Sequence, residues 1–213
     1  TPGNAQSRLA HLARIAPSWA QLGEVLRQDR PVRELPGYKE RAAEGIDAFH
    51  TSLGLRSEAL MRELAGQLAL VPGARLLDLG GGFGALLRPL LERDPKAHGT
   101  LFDSPETVAR ARLANAQAPW ARNLSYQGGD FLSDPIPGPM DFIALSSILH
   151  IFDPPTCQTL VSRAVHALAP GGQLLIRENT LDPSRQAPIA GAEFSLHMAI
   201  QTPGGRAYPE AEI

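Results

Sequence analysis

The chain has 213 residues, 43% hydrophobic and 20% charged, with 20 basic and 22 acidic side chains and a formal charge of −2. That is enough for one large domain or two small ones, and the charge balance gives no footprint for gripping a polyphosphate backbone, so nucleic acid is excluded as an expected partner. The longest uncharged stretches, such as Phe142 to Phe152, fall far short of the ~20 apolar residues of a membrane crossing, and the single cysteine, Cys157, excludes an internal disulfide and fits a reducing, cytoplasmic compartment.

The chain opens at Thr1 without an initiator Met and closes at Ile213 in a polar turn, so it is expected to be a piece of a longer protein. Leu9, Leu12 and Ile15, then Trp19, Leu22, Val25 and Leu26, recur at helical spacing, with Pro17 and Ser18 as a break between two amphipathic helices. Residues 1–30 therefore read as a helical tail. Pro31, Pro36 and Gly37 form a linker into a segment, 31–72, with two further helices, Lys39 to Phe49 and Leu55 to Leu70; the second carries Leu60, Leu64 and Leu68 at intervals of four.

From Gly73 onward short apolar runs alternate with helical stretches. Strands are expected at Arg75 to Leu79, Gly99 to Asp103, Leu124 to Gln127, Phe142 to Ser146 and Gln173 to Arg177, and helices at Ala85 to Glu92, Pro105 to Asn115 and Thr156 to Ala169. This alternation predicts an α/β domain over 73–213, built on a parallel sheet with helices on both faces.

The first strand runs through Asp78 into Gly80-Gly81-Gly82-Phe83-Gly84 and then a helix. Such a turn lets a ligand approach the backbone at a helix N-terminus. About twenty residues further on, the second strand ends in Asp103, where a carboxylate can accept both ribose hydroxyls of a nucleoside. Gly80, Gly82 and Ala85 also satisfy the dinucleotide pattern G-x-G-x-x-A, which leaves an NAD-dependent oxidoreductase open. Two features tilt away from NAD: Asp78 just before the turn, and Asp130 with Phe131 after the third strand, a carboxylate and an aromatic suited to adenine.

Asp78-Leu79-Gly80-Gly81-Gly82, Leu101-Phe102-Asp103-Ser104-Pro105, Gly129-Asp130-Phe131, Ile148-Leu149-His150, Ala169-Pro170-Gly171-Gly172 and Thr202-Pro203-Gly204-Gly205-Arg206 resemble, in order, the S-adenosylmethionine-dependent O-methyltransferases of the plant caffeate and bacterial natural-product type. The resemblance implies a Rossmann-like class I methyltransferase fold. It makes the N-terminal helices the tail of a dimerisation domain, predicts a homodimer, and places the family's last strands beyond Ile213. It puts Gly80, with Gly82 beside it, at the methionine portion of the cofactor, Asp103 at the ribose, and Asp130 and Phe131 at the adenine. Ser146 stands where the plant enzymes carry a cofactor-touching lysine.

His150 follows the fourth strand, at the edge where ligands bind in open α/β sheets, and it also matches the family's catalytic base. Glu178 ends the next strand, within reach of one imidazole nitrogen, which leaves the other as acceptor. A competing reading makes His150 a cap for the helix near Pro155. The plant enzymes have a second orienting glutamate where this chain has Ala207. His50, His197 and Met198 fall where the family builds its acceptor pocket; their spacing with His150 matches no metal motif, and no metal is expected. Cys157, at a helix start, is open to a lowered thiol pKa but reads better as packing. The expected activity is methyl transfer to a hydroxyl of a small aromatic or polyketide-like secondary metabolite. The alternative is a relative that binds the cofactor without methylating.

Overall fold

A computed structural model describes residues 9, 13, 15–28, 30–32 and 58–213. The expected helix Lys39 to Phe49, most of the linker and His50 lie outside the described residues.

The chain divides into two compact units. The first, Leu53–Ser146 with Gln158–Arg177, holds a five-stranded sheet. Its strands are β1 (Arg75–Leu79), β2 (His98–Asp103), β3 (Leu124–Gly128), β4 (Met140–Ser146) and β5 (Leu168–Arg177), in spatial order β3-β2-β1-β4-β5 and parallel throughout. β1 pairs with β2 on one side and β4 on the other. The strand order thus reverses at β1, and in open α/β sheets the crevice at the carboxyl end of that switch point takes the ligand.

The central strands read as unbroken apolar runs because both faces are covered. Leu76, Leu77, Leu79, Leu101, Phe102, Phe142, Ile143 and Leu145 are fully buried. Helix α1 (Leu87–Arg93) adds Leu87, Leu90 and Leu91 to the core, and α2 (Pro105–Ala114) adds Val108 and Ala111. The helix after β1 starts two residues later than its hydrophobic pattern suggests. Gly80, Gly82 and Gly84 have positive φ values of 70°, 56° and 83°, and turns persist through residue 86 before helical geometry sets in.

Two further expectations shift. α3 (Pro154–His166) stops three residues early, and β5 begins at Leu168 instead of Gln173, because Met140 already pairs with Leu168 before an irregularity between Met140 and Phe142. Gly171, at φ 78°, lies within that irregular stretch. In the helical stretch 58–67 the buried residues are Met61 and Ala65, while Leu60 is 40% exposed. Leu64 and Leu68 pack only partly against the core, so the inward face sits one residue on from the expected stripe.

The second unit comprises Thr1–Ser52, Ser147–Cys157 and Glu178–Ile213. It contains a helix at Leu22–Gln28, α4 (Ile189–Gln201) and a short parallel pair, β6 (Thr180–Leu181) with β7 (Tyr208–Pro209). Val25, Val32 and Ile200 form a small buried cluster flanked by Trp19 and Leu22, so part of the N-terminal amphipathic face packs on α4 of its own chain. Leu9 and Leu26 remain about two-thirds exposed.

Candidate active site

At the carboxyl edge of the sheet, the glycine turn and β2 are tied together by their backbones and one acid. The amide of Gly80 donates to the carbonyl of Phe102 at 2.7 Å. The carboxylate of Asp103 accepts from the amide of Gly82 at 2.9 Å and from that of Ser104 at 2.7 Å. The N-cap of α2 is Ser104, whose hydroxyl accepts from the amide of Thr107, so Asp103 does not cap that helix.

Asp78 lies behind the same turn. It is 2% exposed, and its Oδ1 has no hydrogen-bond partner among the described residues. Burial, reinforced by the charge of Asp103, pushes its carboxyl up to about 7. A Cβ at Gly81 would stand 2.7 Å from its Cγ, so the turn closes over Asp78 only with glycine there. An orphaned, buried acceptor beside a glycine turn fits a ligand that brings a donor, which meets the chemistry expected for the amino-acid end of S-adenosylmethionine.

Asp130 sits two residues beyond β3 and is exposed. Its carboxylate accepts from the amide of Leu132 and the hydroxyl of Ser133, while its own amide donates to Asp134. Phe131 meets Phe102 edge-on at 6.1 Å between ring centroids. Ser146 closes β4 beside Arg177, its register partner on β5, and Arg177 Nη1 lies 3.5 Å from the Ser146 hydroxyl. A cation is thus brought to Ser146 by Arg177, which sequence reasoning passed over although it precedes Glu178.

In the second unit, Ser147 takes a left-handed backbone, φ 61°, and leads into a 3₁₀ turn at Leu149–Ile151. Strain of this kind on a non-glycine residue persists where surrounding contacts enforce it. Glu178 holds the residues that follow. Its Oε1 accepts from the amides of Ile148 and Leu149, both at 2.7 Å, and its Oε2 lies 2.6 Å from His150 Nδ1. The Glu178 side chain is 1% exposed and that of His150 is 11% exposed. An ionised carboxylate is an acceptor only, so Nδ1 carries the hydrogen and Nε2 keeps its lone pair.

Phe194 on α4 packs its ring against the imidazole at 4.8 Å, nearly perpendicular at 81°. It was missed in the sequence, although it stands three residues before His197, on the same helix face. The capping alternative for His150 fails. The first turn of α3 is capped by Asp153, whose carboxylate accepts from Thr156 at 2.9 Å.

His197 stacks on Trp19, with centroids 6.0 Å apart and planes 8° from parallel, and Met198 is buried on α4. His50 lies outside the described residues. Ala207 is buried and its amide donates to the Ser195 hydroxyl. Burial pushes the Cys157 thiol up, and its Sγ donates to the carbonyl of Leu149, so the residue serves as packing behind the 3₁₀ turn rather than as an activated thiol. Among the described residues no three His, Cys, Asp or Glu side chains gather as a metal site, and no helix is long and apolar enough to cross a membrane.

A family profile described as O-methyltransferase domain matches residues 31–213. The chain is 32% identical over 200 residues to 3-hydroxy-5-methyl-1-naphthoate 3-O-methyltransferase of Streptomyces sahachiroi, covering 92% of this chain and 58% of that protein. Among solved structures, an O-methyltransferase family protein from Burkholderia thailandensis superposes with a TM-score of 0.83 at 26% identity, over 96% of this chain and 63% of that one. Human N-acetylserotonin methyltransferase, solved in complex with SAM, gives 0.78 at 28% identity, over 95% and 60%. The chain spans about three-fifths of the length of these relatives.

Proposed function

The chain belongs to the O-methyltransferase domain family, and on that premise we propose that it transfers a methyl group from S-adenosylmethionine to a hydroxyl of a small aromatic or polyketide-like acceptor. The observation that carries the reading is the His150–Glu178 pair, which leaves one imidazole nitrogen able to take a proton. When bound, the cofactor supplies an activated methyl that moves by direct displacement. The protein then has to align the acceptor and remove its proton.

In this reading Gly80 and Gly82 border the amino-acid portion, where the turn has no side chains to obstruct it, and Asp103 holds the ribose, with Asp130 and Phe131 at the adenine and Ser146 nearby. For Asp130 to reach the adenine amino group, it must exchange at least one of its bonds to Leu132 and Ser133. His150 accepts the hydroxyl proton at Nε2. Glu178 stabilises the resulting imidazolium and keeps the ring aimed. The loss of a second carboxylate at Ala207 leaves this arrangement intact, because Glu178 holds the imidazole and the backbone turn together, and this favours a methylating enzyme over a silent binder.

His50, His197 and Met198 are assigned to the acceptor pocket, and the protein is read as a cytoplasmic homodimer. The acceptor class is supported by the relatives' names, which specify methylation of a naphthoate and of acetylserotonin. The test is a panel of phenolic and polyketide-like acceptors incubated with radiolabelled S-adenosylmethionine, alongside His150→Gln. Label transfer that depends on His150 is expected, and absence of transfer to every acceptor, with cofactor binding retained, would overturn the reading. Light scattering reporting a monomer at micromolar concentration would overturn the dimer.

A further inference from the structure

Two carboxyl groups stand at the glycine turn, and that of Asp103 accepts from the amides of Gly82 and Ser104. Asp78 is 2% exposed and keeps an oxygen with no hydrogen-bond partner among the described residues, beside a turn that passes so close that a Cβ at Gly81 would stand 2.7 Å from its Cγ. Its strand neighbours are uncharged: Leu101 on β2 and Ala144 on β4 flank it in register. Asp103, at the end of β2, is the charged group that acts on it, and repels a second negative charge. A carboxylate in that position would be buried, unpaired and beside a like charge, so near neutral pH the side chain retains a proton in the absence of a ligand.

We propose that Asp78 receives the α-ammonium group of the cofactor and gives up its proton in doing so, so that cofactor binding is linked to release of one proton through this side chain. The inference rests on the cofactor reading above. In the exchange the carboxylic O–H bond breaks, the proton leaves to solvent, and the carboxylate pairs with an ammonium that keeps its own three protons. The ligand's positive charge thereby replaces the proton as the group that neutralises the site.

Calorimetric titration at pH 6.5, in two buffers of different ionisation enthalpy, tests it. At that pH an α-ammonium is charged and Asp78 is largely protonated. S-adenosylhomocysteine, which keeps the amino-acid end and cannot transfer a methyl, should release more than half a proton. 5′-Methylthioadenosine, which lacks that end, should release none. Affinity for S-adenosylhomocysteine should rise roughly tenfold between pH 5.5 and 7, and Asp78→Asn should bind it with no proton release and a flat pH profile. Equal release by both ligands, release by neither, or an unchanged pH profile in the variant would overturn the proposal. The comparison of ligands on the unmodified protein stands even if the variant fails to fold. If neither ligand binds at all, the cofactor reading itself fails and takes this inference with it, whereas binding without proton release removes Asp78 alone.

Discussion

Glu178 serves His150 twice, once through the ring and once through the backbone that carries it. Oε2 sits 2.6 Å from Nδ1, while Oε1 receives the amides of Ile148 and Leu149, the two residues leading into His150. The carboxylate therefore sets the position and the tautomer of the imidazole together, and the two effects separate in the variants below.

Replacing His150 with Gln should lower turnover by ~10² to 10⁴, the usual worth of a positioned general base, with cofactor affinity barely changed. Raising the pH should partly rescue the variant, since a phenol with a pKa near ~10 ionises without help. Turnover at neutral pH equal to that of the unmodified protein would show that alignment alone carries the reaction.

Glu178→Gln should be about as costly. The two backbone amides require an oxygen at the Oε1 position, which turns the new amide nitrogen toward Nδ1. A donor there forces Nδ1 to accept, moves the ring hydrogen to Nε2, and removes the lone pair that takes the proton. The pH–rate profile and turnover are to be compared with those of His150→Gln. A loss of only a few fold would mean that the imidazole keeps its tautomer without a carboxylate.

Gly205 packs closely against the same turn. A Cβ there would lie 2.7 Å from the carbonyl oxygen of Ile151, and closer still to that of His150 and to the Thr202 hydroxyl. Gly205→Ala should destabilise the protein by ~1 to 3 kcal/mol through overpacking, lowering the melting temperature and also turnover, because the displaced atoms include the backbone of His150. A variant with unchanged melting temperature would show that the turn yields freely.

Asp103→Ala should weaken cofactor binding more than tenfold, given two charge-assisted hydrogen bonds at ~1.5 to 3 kcal/mol each. It should also lower the melting temperature, because the amides of Gly82 and Ser104 lose their acceptor. Unchanged affinity by calorimetry would reduce Asp103 to a brace for the glycine turn.

Asp78 has a consequence for stability as well. Its carboxyl is raised from 3.8 to about 7 in the folded chain, so between those values the folded state binds a proton that the unfolded state has lost. Stability contributed at this position therefore falls as pH rises from about 4 to 7 and levels off above, at up to ~1.4 kcal/mol per unit. Asp78→Asn, which cannot ionise, should gain in melting temperature relative to the unmodified protein between pH 5 and pH 8. A constant difference across that range would place the titrating group elsewhere.

The periodicity of the chain alone determined the strands, the two-sided sheet and the acids at the strand ends, because a strand buried on both faces must be a continuous apolar run and Leu76 to Leu79 or Phe142 to Leu145 admit few other readings. It also brought Glu178 to His150, since parallel neighbours place their ends side by side. What it left open depends on contacts distant in sequence. Nothing local separates Asp78, sealed beneath Gly81 with an orphaned oxygen, from Asp130, exposed and bonded to its own turn. Nor does spacing tell that Met61 and Ala65 face the core while Leu60 does not, or that Phe194 meets an imidazole 44 positions earlier. Burial of a charge and the pairing of side chains are set by whichever elements pack together, and that information exists only once the chain has folded.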